Sequence, residues 1–310
     1  MLTSSAQGVY PIAPTPFLED GSLDWKSTDR MIDHYVGSGA TGVTILGIMG
    51  EAPKLDQSEA VAFAERTIKR APNLPFIVGV SAPGFAAMRS LAHEVMIKGA
   101  AGVMIAPPPS LRTDDQIVAY YAQAIEAIGK DIPFVIQDYP LTLSVIMTPH
   151  VIRRIIMDNP SCVMLKHEDW PGLEKISTLR KFEAEGSLRH VSILTGNGGL
   201  FLDFEMERGV DGAMTGYAFP ELLVDVVSLQ KAGKRDEAHN IFDAHLPLMR
   251  YEQQQGIGLA VRKYTLMRRG ILGSDAQRKP GAGLSVTAKA EVEYLLRRLS
   301  AHDPRAAQLV

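Results

Sequence analysis

Lys166 closes an apolar run, Cys162-Val163-Met164-Leu165-Lys166, and is followed at once by His167-Glu168-Asp169. A continuous apolar run with β-branched content reads as a buried strand. A lysine at its last position projects an amine beyond the strand's carboxyl end. In a barrel of parallel strands that place is the active-site mouth. A half-desolvated amine there loses its proton more easily and becomes a nucleophile for carbonyl carbon. The competing reading is a lysine that ends a strand and extends its head group to water.

Three other segments could do chemistry. In Gly47-Ile48-Met49-Gly50-Glu51, the two glycines let a turn expose N–H groups towards a carboxylate or an oxyanion. In Gln137-Asp138-Tyr139-Pro140, strand alternation sets Gln137 and Tyr139 on one face and Asp138 on the other. A tyrosine at a barrel mouth can relay protons, though buried tyrosines also serve as packing. The glycine-rich Gly196-Asn197-Gly198-Gly199 sits where many barrels cradle phosphate, which keeps a phosphosugar isomerase or epimerase open as a rival.

These segments need elements to hold them. Short β-rich runs recur at Gly8–Pro14, Gly42–Gly47, Pro75–Val80, Gly102–Pro107, Pro133–Pro140, Cys162–Lys166, Val191–Gly196 and Asp211–Gly216. Most lie about 20 to 35 residues apart, one strand-plus-helix unit each. Between them, Asp56-Gln57-Ser58-Glu59 reads as a capping box opening a helix through Arg70. Phe85–Lys98 ends before Gly99, and Thr113-Asp114-Asp115-Gln116 opens a helix to Ile128. Repeated alternation without a linker predicts an α/β fold, a (β/α)8 TIM barrel with a C-terminal helical extension. The barrel is assigned to residues 1–225, and 226–310 to its last helix and the appended helices. No GxGxxG follows the first strand, so a nucleotide-binding open sheet is disfavoured.

Composition narrows the classes. The 310 residues are 46% hydrophobic and 22% charged, with a net charge of −3, which gives no global basic field for nucleic acid. The cluster Arg262-Lys263 and Arg268-Arg269 is expected on a solvated or subunit-contact face. The N-terminus lacks a signal-peptide pattern and no apolar stretch reaches membrane-spanning length. The single cysteine, Cys162, precludes an internal disulfide and suits a reducing, cytoplasmic compartment. The eight histidines show no metal-ligand spacing, so no metal is expected.

Taken in order, the GxxGE turn, the proline-bearing strand-five motif, the strand-six lysine and the strand-seven glycine turn resemble the dihydrodipicolinate synthase / N-acetylneuraminate lyase family of class I aldolases. The resemblance spans nearly the whole chain. It implies that Lys166 forms a Schiff base with a 2-oxo acid such as pyruvate, with no other cofactor. It also implies that the turn Gly47, Ile48, Met49, Gly50 holds the substrate carboxylate, with Gly196 and Asn197 nearby, and that the chain forms a homotetramer or homodimer.

Departures from the family pattern are specific. Ile48 and Met49 stand where synthases carry threonines, Pro107-Pro108-Pro109-Ser110 where they carry paired tyrosines, and Gln137-Asp138 where they carry tyrosine-asparagine. Thr142 stands about where an arginine is expected. The hydroxyl relay of a lysine-pathway synthase is therefore missing. The Gln-Asp-x-Pro variant resembles the branch that dehydrates 2-dehydro-3-deoxy sugar acids. On that reading Lys166 is the imine residue, Gln137 orients substrate or water, and Tyr139, then Glu168, are the candidate proton carriers. A synthase proper and a non-catalytic 2-oxo acid sensor remain alternatives.

Overall fold

The computed structural model describes residues 1–309. Eight strands alternate with helices: β1 (Gly8–Val9), β2 (Val43–Ile45), β3 (Phe76–Gly79), β4 (Gly102–Ile105), β5 (Phe134–Asp138), β6 (Cys162–His167), β7 (Ser192–Thr195) and β8 (Gly212–Ala213). All pair in parallel, in the order β1-β8-β7-β6-β5-β4-β3-β2. A bridge between Ile12 and Thr44 closes the ring beyond the short β1. There the Ala13 N–H donates to the Thr44 carbonyl at 2.8 Å. The predicted (β/α)8 barrel is the observed one.

The helices are α1 (Trp25–Gly37), α2 (Gln57–Arg70), α3 (Phe85–Ile97), α4 (Asp114–Ile128), a single turn α5 (Pro140–Leu143), α6 (Pro149–Asp158), α7 (Leu173–Ala184), α8 (Leu202–Glu207) and α9 (Pro220–Lys231). Beyond the barrel come α10 (Arg235–Glu252), α11 (Gly258–Arg268), α12 (Val286–Leu299) and α13 (Pro304–Ala307). Residue 225 lies within α9, the last barrel helix. Two capping boxes form as their sequences dictate: Asp56 with Glu59 opens α2, and Thr113 with Gln116 opens α4. None of the described helices is long and apolar enough to cross a membrane.

Strand alternation divides the core in two. Ile77, Met104, Val135, Met164 and Leu194 fill the barrel interior, where Tyr10, Ile12 and Met214 join them. Phe134, Ile136, Leu165 and Ile193 face outward into the layer packed by the helices. Two-residue periodicity then carries Gln137 inward above Val135, and Lys166 and Glu168 inward above Met164. The strand runs one residue past the predicted end, to His167.

Arg262 and Lys263 of the basic cluster do not lie on a solvated face. Helix α11 is buried continuously from Ala260 to Leu266, so Arg262 and Lys263 must find carboxylates inside the protein, whereas Arg268 stays partly exposed. Lys263 is paired with Glu51 at 2.5 Å, Arg268 with Glu293 at 2.5 Å and Arg269 with Glu221 at 2.7 Å. Arg262 pairs with Glu252 at 2.5 Å and borders the barrel mouth. The sequence carries no local sign of this, because the enclosing surface comes from α10, α12 and the strand ends.

Candidate active site

Lys166 and Gln137 are register partners on adjacent strands, and their side chains rise together at the carboxyl end of the barrel. The Lys166 Nζ lies 2.8 Å from Glu168 Oε2, and the same oxygen accepts a 2.8 Å hydrogen bond from Gln137 Nε2. All three side chains are buried. One carboxylate oxygen therefore joins an amine and an amide in a water-poor chamber, where such contacts are electrostatically strong.

Glu168 occupies that position because its neighbours yield to it. Gly196, at the end of β7, has no Cβ; one there would fall 2.3 Å from Glu168 Cγ. Asn197 Nδ2 then donates to the Glu168 carbonyl at 2.8 Å. On the outer face of the same strands, Lys175 bridges Asp138 at 2.9 Å and Asp169 at 2.5 Å, tying the ends of β5 and β6 to α7. Asp138 thus faces away from Gln137, as alternation predicts.

The Gly47–Glu51 segment forms a 3₁₀ turn at Ile48–Gly50, closed by a Gly50 N–H to Gly47 carbonyl bond of 2.9 Å. The first N–H groups of a helical turn have no intrahelical acceptor. Those of Ile48 and Met49 belong to residues that border the chamber. Glu51 points away from the chamber, held by Lys263 and by Lys54 at 2.7 Å.

Tyr139 caps the single turn α5 and borders the chamber beside Gln137, so the structure brings the predicted pair together. Burial pushes the phenol pKa up, opposed by the nearby Thr142 hydroxyl. Among the described residues, no hydrogen bond joins the phenol to Lys166 or Glu168. The Gly196–Gly199 loop is a poor phosphate cradle. Its N–H groups at Gly196 and Gly199 are spent on the His167 and Gly196 carbonyls, and the following helix α8 carries Asp203 and Glu205 in its first turn.

The hollow immediately around Lys166 is small, about 40 Å³, and two larger recesses share its walls. An apolar recess of about 330 Å³ shares Ile48 and Gln137 and is lined by Met104, Pro107, Pro108 and Pro109. A polar recess of about 510 Å³ shares Met49 and Tyr139 and carries Gln254, Gln255 and Gln277. The chamber also takes Ile12, Thr215, Gln253 and Arg262, none of which sequence reasoning identified. No cluster of three or more His, Cys, Asp or Glu able to hold a metal occurs among the described residues.

Comparison with known proteins agrees with this architecture. The sequence model of the dihydrodipicolinate synthetase family matches residues 5–299. An L-2-keto-3-deoxyarabonate dehydratase from Azospirillum brasilense is 28% identical over 309 residues, covering 96% of this chain and 97% of that relative. A 4-hydroxy-tetrahydrodipicolinate synthase from Jannaschia sp. is 26% identical over 294 residues, covering 94% of this chain and 97% of its own. A crystal structure of a dihydrodipicolinate synthase from Rhodopseudomonas palustris superposes with a TM-score of 0.95 at 70% identity, covering 96% of this chain and 99% of that one. The chain belongs to the dihydrodipicolinate synthetase family.

Proposed function

We propose that this enzyme is a Schiff-base lyase that dehydrates a 2-dehydro-3-deoxy sugar acid. One observation carries the reading: the hydrogen-bonded set Lys166–Glu168–Gln137, in a chamber whose carboxylate-facing turn bears Ile48 and Met49. The Lys166 amine attacks the C2 carbonyl, the carbinolamine loses water, and an iminium forms. The Ile48 and Met49 N–H groups hold the C1 carboxylate. Glu168 takes a C3 proton to give an enamine, and returns it to the C4 hydroxyl as that group leaves as water. The unsaturated iminium loses a C5 proton, the resulting enol gives up its O–H proton as C4 and then C3 are protonated, and hydrolysis frees 2-oxoglutarate semialdehyde and Lys166. Aldol cleavage would use the same lysine, with Glu168 taking the C4 hydroxyl proton instead.

The contact of Glu168 with the amine supports Glu168, rather than Tyr139, as the proton carrier. Gln137, an amide, cannot carry a proton and instead fixes the Glu168 carboxylate. The reading includes a cytoplasmic homo-oligomer with a small 2-oxo acid as its only partner. Borohydride reduction with pyruvate, followed by digestion, should place the adduct mass on Lys166. A screen of sugar acids should then yield 2-oxoglutarate semialdehyde rather than pyruvate.

A second reading, a dihydrodipicolinate synthase, is favoured by the name of the 70% identical Rhodopseudomonas palustris protein. Against it stand Ile48, Met49, Pro109 and Gln137 at the places expected to carry hydroxyls. Efficient condensation of pyruvate with aspartate semialdehyde by the purified protein would decide for the synthase.

A further inference from the structure

Two side chains from beyond the barrel reach the lysine chamber, each over a glycine that clears its way. Arg262 of α11 lies across Gly216, where a Cβ would fall on Nη1 itself. Gln253, at the end of α10, lies across Gly198, where a Cβ would fall 2.5 Å from Oε1. Arg262 is 2% exposed. Its Nε donates to Glu252 Oε1 at 2.5 Å and its Nη2 to the Gly216 carbonyl at 2.5 Å. Its Nη1 is buried and has no partner.

A buried guanidinium donor with nothing to bond is costly, and the Arg262 side chain that carries it lines the hollow that holds Lys166. Glu252 neutralises the guanidinium charge, so what remains is a hydrogen-bond donor rather than a net cation. The neighbouring Gln253 and Thr215 are neutral as well. The opposite side of the chamber, towards Met104 and Pro107 to Pro109, is apolar. On the Arg262 side, by contrast, an oxygen-bearing chain leaving the imine meets a buried donor that has no partner within the protein.

From this geometry we infer that Arg262 and Gln253 form the subsite for the substrate's tail, and that the tail is an uncharged, hydroxylated carbon chain. Arg262 Nη1 donates to a tail hydroxyl, and Gln253 completes the polar wall. This rests on the Schiff-base reading and adds a specificity determinant supplied by the C-terminal helices, outside the barrel. Neither residue contacts the reacting carbons; both select what is attached to them.

The test compares two probes, pyruvate, which has no tail, and L-2-keto-3-deoxyarabonate, which has one. Calorimetric binding of each is measured on the full-length wild type, on Arg262→Lys and on Gln253→Ala. Lysine keeps the charge opposite Glu252 but lacks the second arm of the fork. Arg262→Lys should weaken the tailed probe roughly 10- to 100-fold, the worth of one hydrogen bond to a charged donor. Pyruvate binding should change less than about two-fold, within ordinary variation for a residue that does not touch it. Gln253→Ala, at a partly exposed position that tolerates truncation, should show the same split at about 3- to 10-fold. Equal weakening of both probes, as a general loss of packing would cause, overturns the inference. So does unchanged binding of the tailed probe, or a wild type that binds neither. Borohydride trapping of pyruvate on the wild type tests the imine separately. Trapping without the split defeats only the tail subsite, and the split without trapping defeats only the imine.

Discussion

Glu168 Oε2 sits 2.8 Å from Lys166 Nζ, two residues along the same strand exit, with both side chains on the inner face of the barrel. A carboxylate so placed can take a proton from the amine's neighbourhood and return it without moving its backbone. Removal of that carboxylate should separate imine formation from the later proton transfers at C3 and C4. Glu168→Gln is expected to retain borohydride-trappable pyruvate while slowing single-turnover chemistry by on the order of 100- to 10,000-fold. If the variant turns over normally, the proton passes through Tyr139 or water.

Tyr139 offers the contrasting case. Burial raises its pKa, and it holds no hydrogen bond to Lys166 or Glu168. Tyr139→Phe should therefore slow turnover by less than Glu168→Gln does, measured on the same substrate under single-turnover conditions. A larger loss in Tyr139→Phe would return the proton to the phenol.

The buried pair Lys263–Glu51 anchors the Gly47–Glu51 turn to α11 across 212 positions of chain. Lys263→Met leaves Glu51 short of its buried partner and should cost about 3 to 5 kcal/mol of stability. Adding Glu51→Gln should recover much of that loss. Urea denaturation of the single and double variants measures both. Equal stability of the single variant and wild type would show that Lys54 suffices for Glu51.

Glu205 predicts a pH dependence. Burial pushes its pKa up to about 7, opposed by His167 and the Thr195 hydroxyl. A carboxyl raised in the folded state binds its proton more tightly there than in the unfolded chain. Its cost to stability is absent below the unfolded pKa near 4.5, grows as pH rises, and is complete above about 7. Glu205→Gln should therefore gain stability over wild type at pH 8, by about 3 kcal/mol, and little at pH 4. A difference between the two proteins that stays flat with pH would remove Glu205 from this role.

Homo-oligomer formation is expected in light scattering, as a species two or four times the 33.8 kDa chain. A single 33.8 kDa species at micromolar concentration would rule it out.

Much of this protein is legible in its sequence. Local geometry is repetitive, so alternating apolar runs located the strands, and capping pairs such as Asp56 with Glu59 located helix starts. The same alternation puts Gln137 and Tyr139 on one face, opposite Asp138. What the sequence left open was partnership between distant segments. A cation in an apolar helix reads as a surface residue until the wall around it is known, and for Arg262 and Lys263 that wall comes from the barrel mouth. Glu168 likewise reads as one of two adjacent acidic residues until Gly196, on the next strand, makes room for its carboxylate. Periodicity arises from the backbone of a few neighbouring residues. Which charge meets which, and which glycine clears space for which side chain, is decided only by how the elements pack.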